Sequence, residues 1–369
     1  MDYEIEFHPV GDASKAGDAI TVRYQTAWGY EVMVIDGGTD DAGENLVAHI
    51  ERHYGADTVI AHVVNTHPDT DHACGLRAVL KRFAVQNLWL HGVWHHAAEM
   101  LPYFADKRWT PQGLSAAIRK QYSVVEELID LAQAQGTTIH EPFQGEQIGP
   151  FTVLSPARWS YLRLVPQFRK TPDVDAEALK AESMWLGTKY QVGMLKALWE
   201  RAVDWIGESW HSELLREDPI TAAENETSVV LYGLFGDFSA LLTADAGINA
   251  LTWAANYADG QGIDLSTVSL IQVPHHGSRS NVAPSILDRL LGPIQPEGSP
   301  NRRTGIVSVP KDNASHPRKM VMNAFRRRGT PVCKTQGVYF RKYSSGMPDR
   351  PTEVSAVPFG FFYQVENYD

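Results

Sequence analysis

The sequence predicts a layered α/β (α+β) protein: two β-sheets packed together, helices outside, and a helical insertion between the two halves. Three observations carry that prediction. Short apolar-alternating runs open the chain, strand–helix alternation follows in both halves, and residues 156–224 change to a Trp-rich helical pattern.

The opening runs, Tyr3–His8, Ala19–Tyr24 and Tyr30–Ile35, read as strands separated by Gly-rich turns. Leu46, Ile50 and His53 fall at i, i+4 and i+7, which predicts a helix over Ala42–Tyr54. Thr58–Asn65 is a nearly continuous β-branched run, the pattern of a strand buried on both faces. A helix over Gly75–Phe83, a strand over Asn87–His91 and one long helix over Leu114–Gln135 follow. Strands return at Ser228–Leu234 and Phe238–Thr243. The chain then alternates: helix Asn249–Ala258, strand Thr267–Val273, helix Pro284–Leu291, strand Gly305–Val309, helix Arg318–Arg328, strand Gly337–Lys342. The expected division is 1–155 for the first half, 156–224 for the insertion and 225–369 for the second half.

With 369 residues, 43% hydrophobic and 21% charged, the composition is that of a globular protein and excludes disorder or a fibre. The longest apolar runs are strand-length, so no membrane partner is expected. The first residues show neither a basic region nor an apolar stretch. Two cysteines, Cys74 and Cys333, cannot build a disulfide framework, and a cytoplasmic location is the expectation. The net charge of −11 alone argues against a nucleic-acid binder; its distribution argues for one. Residues 171–226 hold 12 acids against 5 bases, and residues 302–350 hold 12 bases against 2 acids. The basic segment predicts an anionic partner, nucleic acid first. A solvated basic face that balances the acidic segment is the plainer alternative. The acidic insertion predicts a lid, a protein partner or an oligomer contact. Its Trp185, Trp199, Trp205 and Trp210 pack a helix pair more readily than they stack bases.

The densest chemical signal is Asn65-Thr66-His67-Pro68-Asp69-Thr70-Asp71-His72. Four potential ligands lie within six residues, directly after a buried strand and before a helix. Such density is costly to desolvate unless a cation compensates it, and a helix cap would use only one of the carboxylates. Val273-Pro274-His275-His276-Gly277-Ser278 also follows a strand, and Asp245 ends the apolar strand before it. A lone strand-end Asp is usually a turn former. Three strand ends bearing His and Asp point to one site, because layered α/β folds gather strand ends together. His91, His95 and His96 have no carboxylates beside them and read as surface or core histidines.

These motifs in this order, with Asp36-Gly37-Gly38 and Thr243-Ala244-Asp245, resemble those of metallo-β-lactamase-fold hydrolases. The nearest resemblance is to the ComEC-type metallohydrolase domain of DNA-uptake proteins, which has His-Pro-Asp-x-Asp-His. That subgroup is also matched by Asn225-Glu226-Thr227-Ser228 and by Asn313-Ala314-Ser315-His316-Pro317. The resemblance spans about 5–155 and 226–342 and leaves out 156–224; Ala244 stands where the family usually has Gly. It implies an αββα sandwich and a dinuclear metal site. His67 and Asp69 would hold one metal, Asp71 and His72 the other, with Asp245 between them. One histidine of the pair would complete the set of ligands around the second metal. His276, before the Gly, is the usual ligand, leaving His275 to the substrate or to the surrounding hydrogen bonds. Asn225 would face the first metal, and Asp36 would orient the His67 segment.

The resemblance further implies two divalent ions, about 3.5–4 Å apart and sharing a hydroxide that attacks the substrate. Asp69 in place of an imidazole moves the preference from zinc alone toward manganese or magnesium. Asp71, His275 and His316 are the expected catalytic groups, His316 holding a phosphate oxygen or protonating the leaving group. Ser278, Asn313, Lys311 and Arg318 are the expected substrate contacts. The leading expectation is a phosphodiesterase or nuclease acting on DNA or RNA. The alternatives are a small-molecule hydrolase of the same fold, for a lactone, a phosphocholine ester or a cyclic nucleotide, and a non-catalytic metal-binding regulatory module.

Overall fold

Two seven-stranded sheets form the centre of the computed structural model, which describes residues 1–11, 16–185 (backbone only over 182–185), 205–313, 315–350 and 357–368. The first sheet runs Phe340–Tyr343, Tyr3–Phe7, Ala19–Thr26, Gly29–Gly37, Ile60–Val64, Val85–Trp89, Thr138–His140. The second runs Val332–Lys334, Thr304–Val307, Leu270–Gln272, Phe238–Leu242, Val230–Phe235, Phe151–Ser155, Gln147–Ile148. Each is antiparallel on one side and parallel on the other, the parallel part starting at Gly29–Gly37 and at Phe238–Leu242.

Alternate side chains of the two sheets meet in one core, where Ile5, Val22 and Met33 join Val153, Leu231, Leu242 and Ile306. The outer face of the first sheet is covered by helices Asp40–His53, Leu76–Arg82 and Ser123–Ala134, which bury Leu46, Ile50, Val79, Leu128 and Ile129. Helices Ile248–Gly260, Pro284–Leu291 and Lys319–Arg327 cover the second. The predicted helix–sheet–sheet–helix layering is the observed one. The halves are also interlocked: Phe151–Ser155 pairs into the second sheet and Phe340–Tyr343 into the first.

Three local expectations need correction. The long helix breaks at Tyr122 (φ −115, ψ 48) into Pro111–Gln121 and Ser123–Ala134. Within the expected helical stretch, Arg158–Leu164 and Ala176–Trp185 are helices, but residues 205–222 hold only strand Trp205–Gly207 and irregular chain. The tryptophans there pack no helix pair: Trp205 is half exposed under the Lys319 ammonium, and Trp210 donates to the Gln295 carbonyl at 2.9 Å. The Trp185 side chain and all of Trp199 lie outside the described residues. Among the described residues no helix is long and apolar enough to cross a membrane.

Much of the charge asymmetry is resolved internally. Arg327, fully buried, contacts the Glu208 carboxylate at 3.2 Å and donates to the carbonyls of Ser209, Trp210 and Ser212. Arg328 pairs with Glu213 at 2.7 Å and Asp288 at 2.8 Å. Arg350 reaches the buried Glu4 and Glu6, Arg341 reaches Glu4, and Arg303 donates to the carbonyls of Ser266 and Leu290. Arginines counted as a basic face are therefore largely interior, and several of their partners are the acids of the 171–226 segment. Desolvated guanidinium groups need this full set of acceptors to be tolerated.

Candidate metal centre

Strand ends build the centre. Gly29–Gly37 ends on Asp36, Ile60–Val64 leads to His67, Phe238–Leu242 leads to Asp245, and Leu270–Gln272 leads to His275 and His276. Four non-glycine residues here hold positive φ: Asp36 (53°), Ala244 (46°), His275 (47°) and His276 (55°). Strained backbone concentrated at one rim is a mark of a functional site. Ala244 adopts a conformation that glycine reaches without cost, which accounts for the glycine usual there. Gly75 has no room for a Cβ, because the Gly37 carbonyl lies against it; that contact seats the His67–His72 loop on the strand end bearing Asp36.

Asp36 is 1% exposed and holds the loop at several points. It accepts from the Thr66 backbone N–H at 2.8 Å and the Thr66 hydroxyl at 2.6 Å, and it bonds His72 Nδ1 at 2.8 Å. The expected orienting role thus extends from the residue before His67 to His72 itself. Every imidazole is anchored through Nδ1: His67 to the Thr66 hydroxyl (3.1 Å), His276 to the Ser308 carbonyl (2.9 Å), His275 to the Asn281 side chain (2.8 Å). Those partners set the tautomers and turn every Nε2 toward Asp245.

The two Asp245 oxygens divide the ring between them. Oδ1 lies 3.5 Å from His72 Nε2 and 3.7 Å from His276 Nε2. Oδ2 lies 3.9 Å from His67 Nε2 and 3.5 Å from His275 Nε2. His67 Nε2, His72 Nε2, His276 Nε2 and Asp245 Oδ1 are all buried without a hydrogen-bond partner. Spacings too long for hydrogen bonds, around converging lone pairs, suit a cation held in common. Among the described residues three groups have ligand atoms within 4.8 Å of one another: His67 with His72 and Asp245, Asp71 with His72 and His276, and Asp18 with Asp36 and His72. The residues present therefore fit divalent metal.

Without a cation the charges settle among themselves. Burial pushes the His72 pKa down, but Asp245 and Asp36 outweigh it and hold it well above the usual histidine range. Burial likewise raises Asp245, while His275, His72 and His276 outweigh it and hold the carboxyl well below its usual range.

The remaining expected residues fall into three groups. Asp69 and Asp71 stand at the mouth of the centre; Asp69 Oδ2 is 4.0 Å from His67 Nε2 and 3.1 Å from the Arg169 guanidinium. Asp69 makes no side-chain cap on helix Thr70–Ala73, so the capping account does not explain it. Asn225 is buried, and its amide lies 3.2 Å from His275 Nδ1, so its contact is to that histidine and not to His67. His316 stands with its ring centre 6.5 Å from that of His275, on a loop seated by Gly277 against Pro317. Burial, with Arg318 and the histidines beside it, pushes the His316 pKa down to about 3. Held neutral, it suits the hydrogen-bonding part of its expected role and not the proton-donating part.

Two expected substrate contacts carry structural hydrogen bonds: Asn313 Oδ1 accepts from the backbone of Ser315 and His316, and Ser278 Oγ accepts from Ser280 N–H. The Arg318 backbone N–H donates to the Gly277 carbonyl, a bond that does not involve its guanidinium. Lys311 is exposed, its stem beside Gly337.

Sequence reasoning missed Asp18. It is 2% exposed, accepts from the Gln272 amide at 2.8 Å, lies 3.9 Å from His72 Nδ1, and leaves Oδ1 without a partner. Burial holds its carboxyl above the ordinary range. Its only local signal is a Gly-Asp step before a strand. Also missed were the walls of the cleft over the centre. This cleft of about 500 Å³ is lined by Asp69, Thr70, Asp71, Asn225 and His275, most of them expected site residues, and by Tyr122, Arg169, Lys170, Ala222 and Glu224, which were not expected.

Comparison with known proteins agrees with this picture. Residues 29–144 match the family model described as the metallo-beta-lactamase superfamily. The match takes in Asp36 and the His67–His72 segment. No curated protein matches the chain. Among solved structures, Zn(2+)-bound PqqB from Methylobacterium extorquens is 11% identical, with 91% of this chain and 99% of that one covered and a TM-score of 0.39. A variant of the CmlA beta-hydroxylase is 12% identical over 93% of this chain and 53% of that one, TM-score 0.41. The hydrolase AbOPH is 11% identical over 62% and 56%, TM-score 0.30. The chain thus spans little more than half the length of the last two.

Proposed function

We propose that the protein is a metal-dependent phosphodiesterase that works on a compact ester. The observation that carries the reading is the convergence of His67 Nε2, His72 Nε2, His276 Nε2 and Asp245 Oδ1, four buried ligand atoms with no hydrogen-bond partner among the described residues. When bound, two divalent cations, manganese first, would supply Lewis acidity and an activated water. His67, His275 and Asp69 stand toward one position, Asp71, His72 and His276 toward the other, and Asp245 offers an oxygen to each. Asp36, Thr66, Ser308 and Asn281 keep the imidazoles in the tautomer this requires. His316, neutral beside His275, donates to a phosphoryl oxygen. Water adds at phosphorus, one P–O ester bond breaks, and the alcohol departs with a proton.

Compactness is supported by the arginines. A nuclease groove needs cations free to meet successive phosphates, yet Arg303, Arg327, Arg328, Arg341 and Arg350 are occupied internally. Phosphocholine esters, cyclic nucleotides and very short oligonucleotides fall in the size range of the cleft. The likeness of His-Pro-Asp-Thr-Asp-His to ComEC-type domains supports phosphodiester chemistry and keeps longer DNA as the second reading.

The test is incubation of the purified chain and manganese with bis(4-nitrophenyl) phosphate, a dinucleotide, and labelled DNA and RNA at low and high salt, with Asp245→Ala alongside. Salt-tolerant hydrolysis of the small esters is expected. Turnover of long DNA that collapses with salt would transfer the assignment to a nuclease, and inertness toward every phosphodiester with manganese, zinc and magnesium would end it.

A further inference from the structure

Part of the cleft lining outside the metal ligands has chemistry of its own. Tyr122 sits at the break between two helices, is 5% exposed, and lines the cleft with a hydroxyl that has no hydrogen-bond partner. A buried hydroxyl without a partner costs about 1–3 kcal/mol unless a ligand satisfies it. Beside it stand Arg169 and Lys170, consecutive residues on the segment that no family motif covers. Arg169 binds Glu224 at 3.0 Å and Asp69 at 3.1 Å; its side chain is 62% exposed. Lys170 has its ammonium 5.8 Å from the centre of the Tyr122 ring and makes no ion pair among the described residues. One hydroxyl donor and two cations thus line the same cleft as the expected metal ligands Asp69 and Asp71. The exposed side of the Arg169 guanidinium can meet a further anion.

We propose that Tyr122, Arg169 and Lys170 form an anion subsite, so that the preferred substrate is a compact phosphodiester bearing a second anionic group some distance from the scissile bond. This rests on the phosphodiesterase reading for its reacting group, but the subsite has its own test. A bidentate guanidinium and a phenol hydroxyl suit a terminal phosphate, whereas a neutral ester would leave both cations unanswered.

The experiment compares the dinucleotides dTpdT and pdTpdT, which differ by one 5′-phosphate, using the full chain with manganese. Binding of thymidine 5′-monophosphate is measured by calorimetry in parallel. The wild type should show kcat/KM about tenfold higher for pdTpdT, mainly through KM, and the double variant Arg169→Met, Lys170→Met should bring that ratio near one. Tyr122→Phe keeps the ring and should lower the ratio by a smaller factor. Both cations are exposed, so the double variant is expected to fold, and its melting temperature checks this. Equal kcat/KM for both dinucleotides, with monophosphate binding unchanged in the variants, overturns the subsite and leaves the phosphodiesterase intact. Monophosphate binding that the variants lose, without hydrolysis of either dinucleotide, supports the subsite and removes the phosphodiesterase.

Discussion

The arginine knot around Glu208 and the histidine ring around Asp245 are both buried charge assemblies, finished in opposite ways. At the knot, Arg327 meets a carboxylate and three carbonyls, and Glu208 also accepts from the Leu214 N–H and the Asn323 amide. Nothing there needs another molecule. In the ring, the Nε2 atoms of His67, His72 and His276 lie 3.5–3.9 Å from the Asp245 oxygens with no hydrogen bond made among the described residues. The first assembly is complete when the chain folds; the second is complete only with a cation. The lesson is that burial of charge by itself says little about function, whereas convergent unmet lone pairs say a great deal. A single orphan is not enough: His91 Nε2 also lacks a partner, but its ring stacks on Tyr161 at 4.4 Å, beside Phe143, with no second ligand converging on it.

The contrast can be broken most decisively at Asp245. Asp245→Ala should lower kcat by about a thousandfold or more while the protein stays folded, and it should abolish any rise in melting temperature with manganese. Activity assays and thermal melts of the same preparation check it. At the knot the pattern reverses. Arg327→Met strands Glu208 in the interior and should cost about 3–5 kcal/mol in denaturant unfolding, with metal affinity unchanged. A lost metal affinity there would mean the two assemblies are coupled. Next in size, metal at a hundred times its Kd should stabilise the wild type by about 2.7 kcal/mol, and chelation should reverse this. Because His72 is held protonated at neutral pH in the cation-free protein, uptake should also release protons, read as buffer-dependent heats in calorimetry. Asp36→Ala frees His72 Nδ1 and should weaken metal binding by about 10–100-fold.

The smallest effect concerns His91. Burial pushes its pKa down to about 3, against an ordinary value near 6.5. The unfolded chain therefore binds the extra proton throughout that window, and stability falls as pH drops from about 6.5 toward 3 at up to about 1.4 kcal/mol per unit. His91→Phe should flatten that slope. An unchanged slope would assign acid sensitivity to other groups, His8 first, whose pKa is likewise down at about 3.

The parts of this that could be read in advance were local. His67, Asp69, Asp71 and His72 announce themselves by ligand density, and Asp245 and His276 by their place after apolar strands. Alternation identified most strands of the first sheet, but Gln147–Ile148 and Val332–Lys334 are too short to carry a period. The helix break at Tyr122 has no Gly or Pro to mark it, and the buried positions on either side, Ile118 and Val125, continue one apolar face. What could not be read was pairing at a distance. Arg327 and Glu208 are 119 residues apart, so a count of charges along the chain saw a basic face where the fold makes an interior knot. Arg169 is 100 residues from Asp69, and only the folded chain brings it to the cleft.

The exchange of outermost strands has a consequence for biosynthesis. Strand Tyr3–Phe7 is made hundreds of residues before its neighbour Phe340–Tyr343 and before Arg341 and Arg350, which pair with Glu4 and Glu6. Until then the nascent polypeptide holds an open backbone ladder, and Glu4 and Glu6 have only part of their partners, Arg23 for the first and His49 and Tyr54 for the second, a condition that invites chaperone capture. A message cut short upstream of codon 340 would leave that seam permanently unzipped, and its product would be a target for proteolytic clearance even though every metal ligand had already been translated.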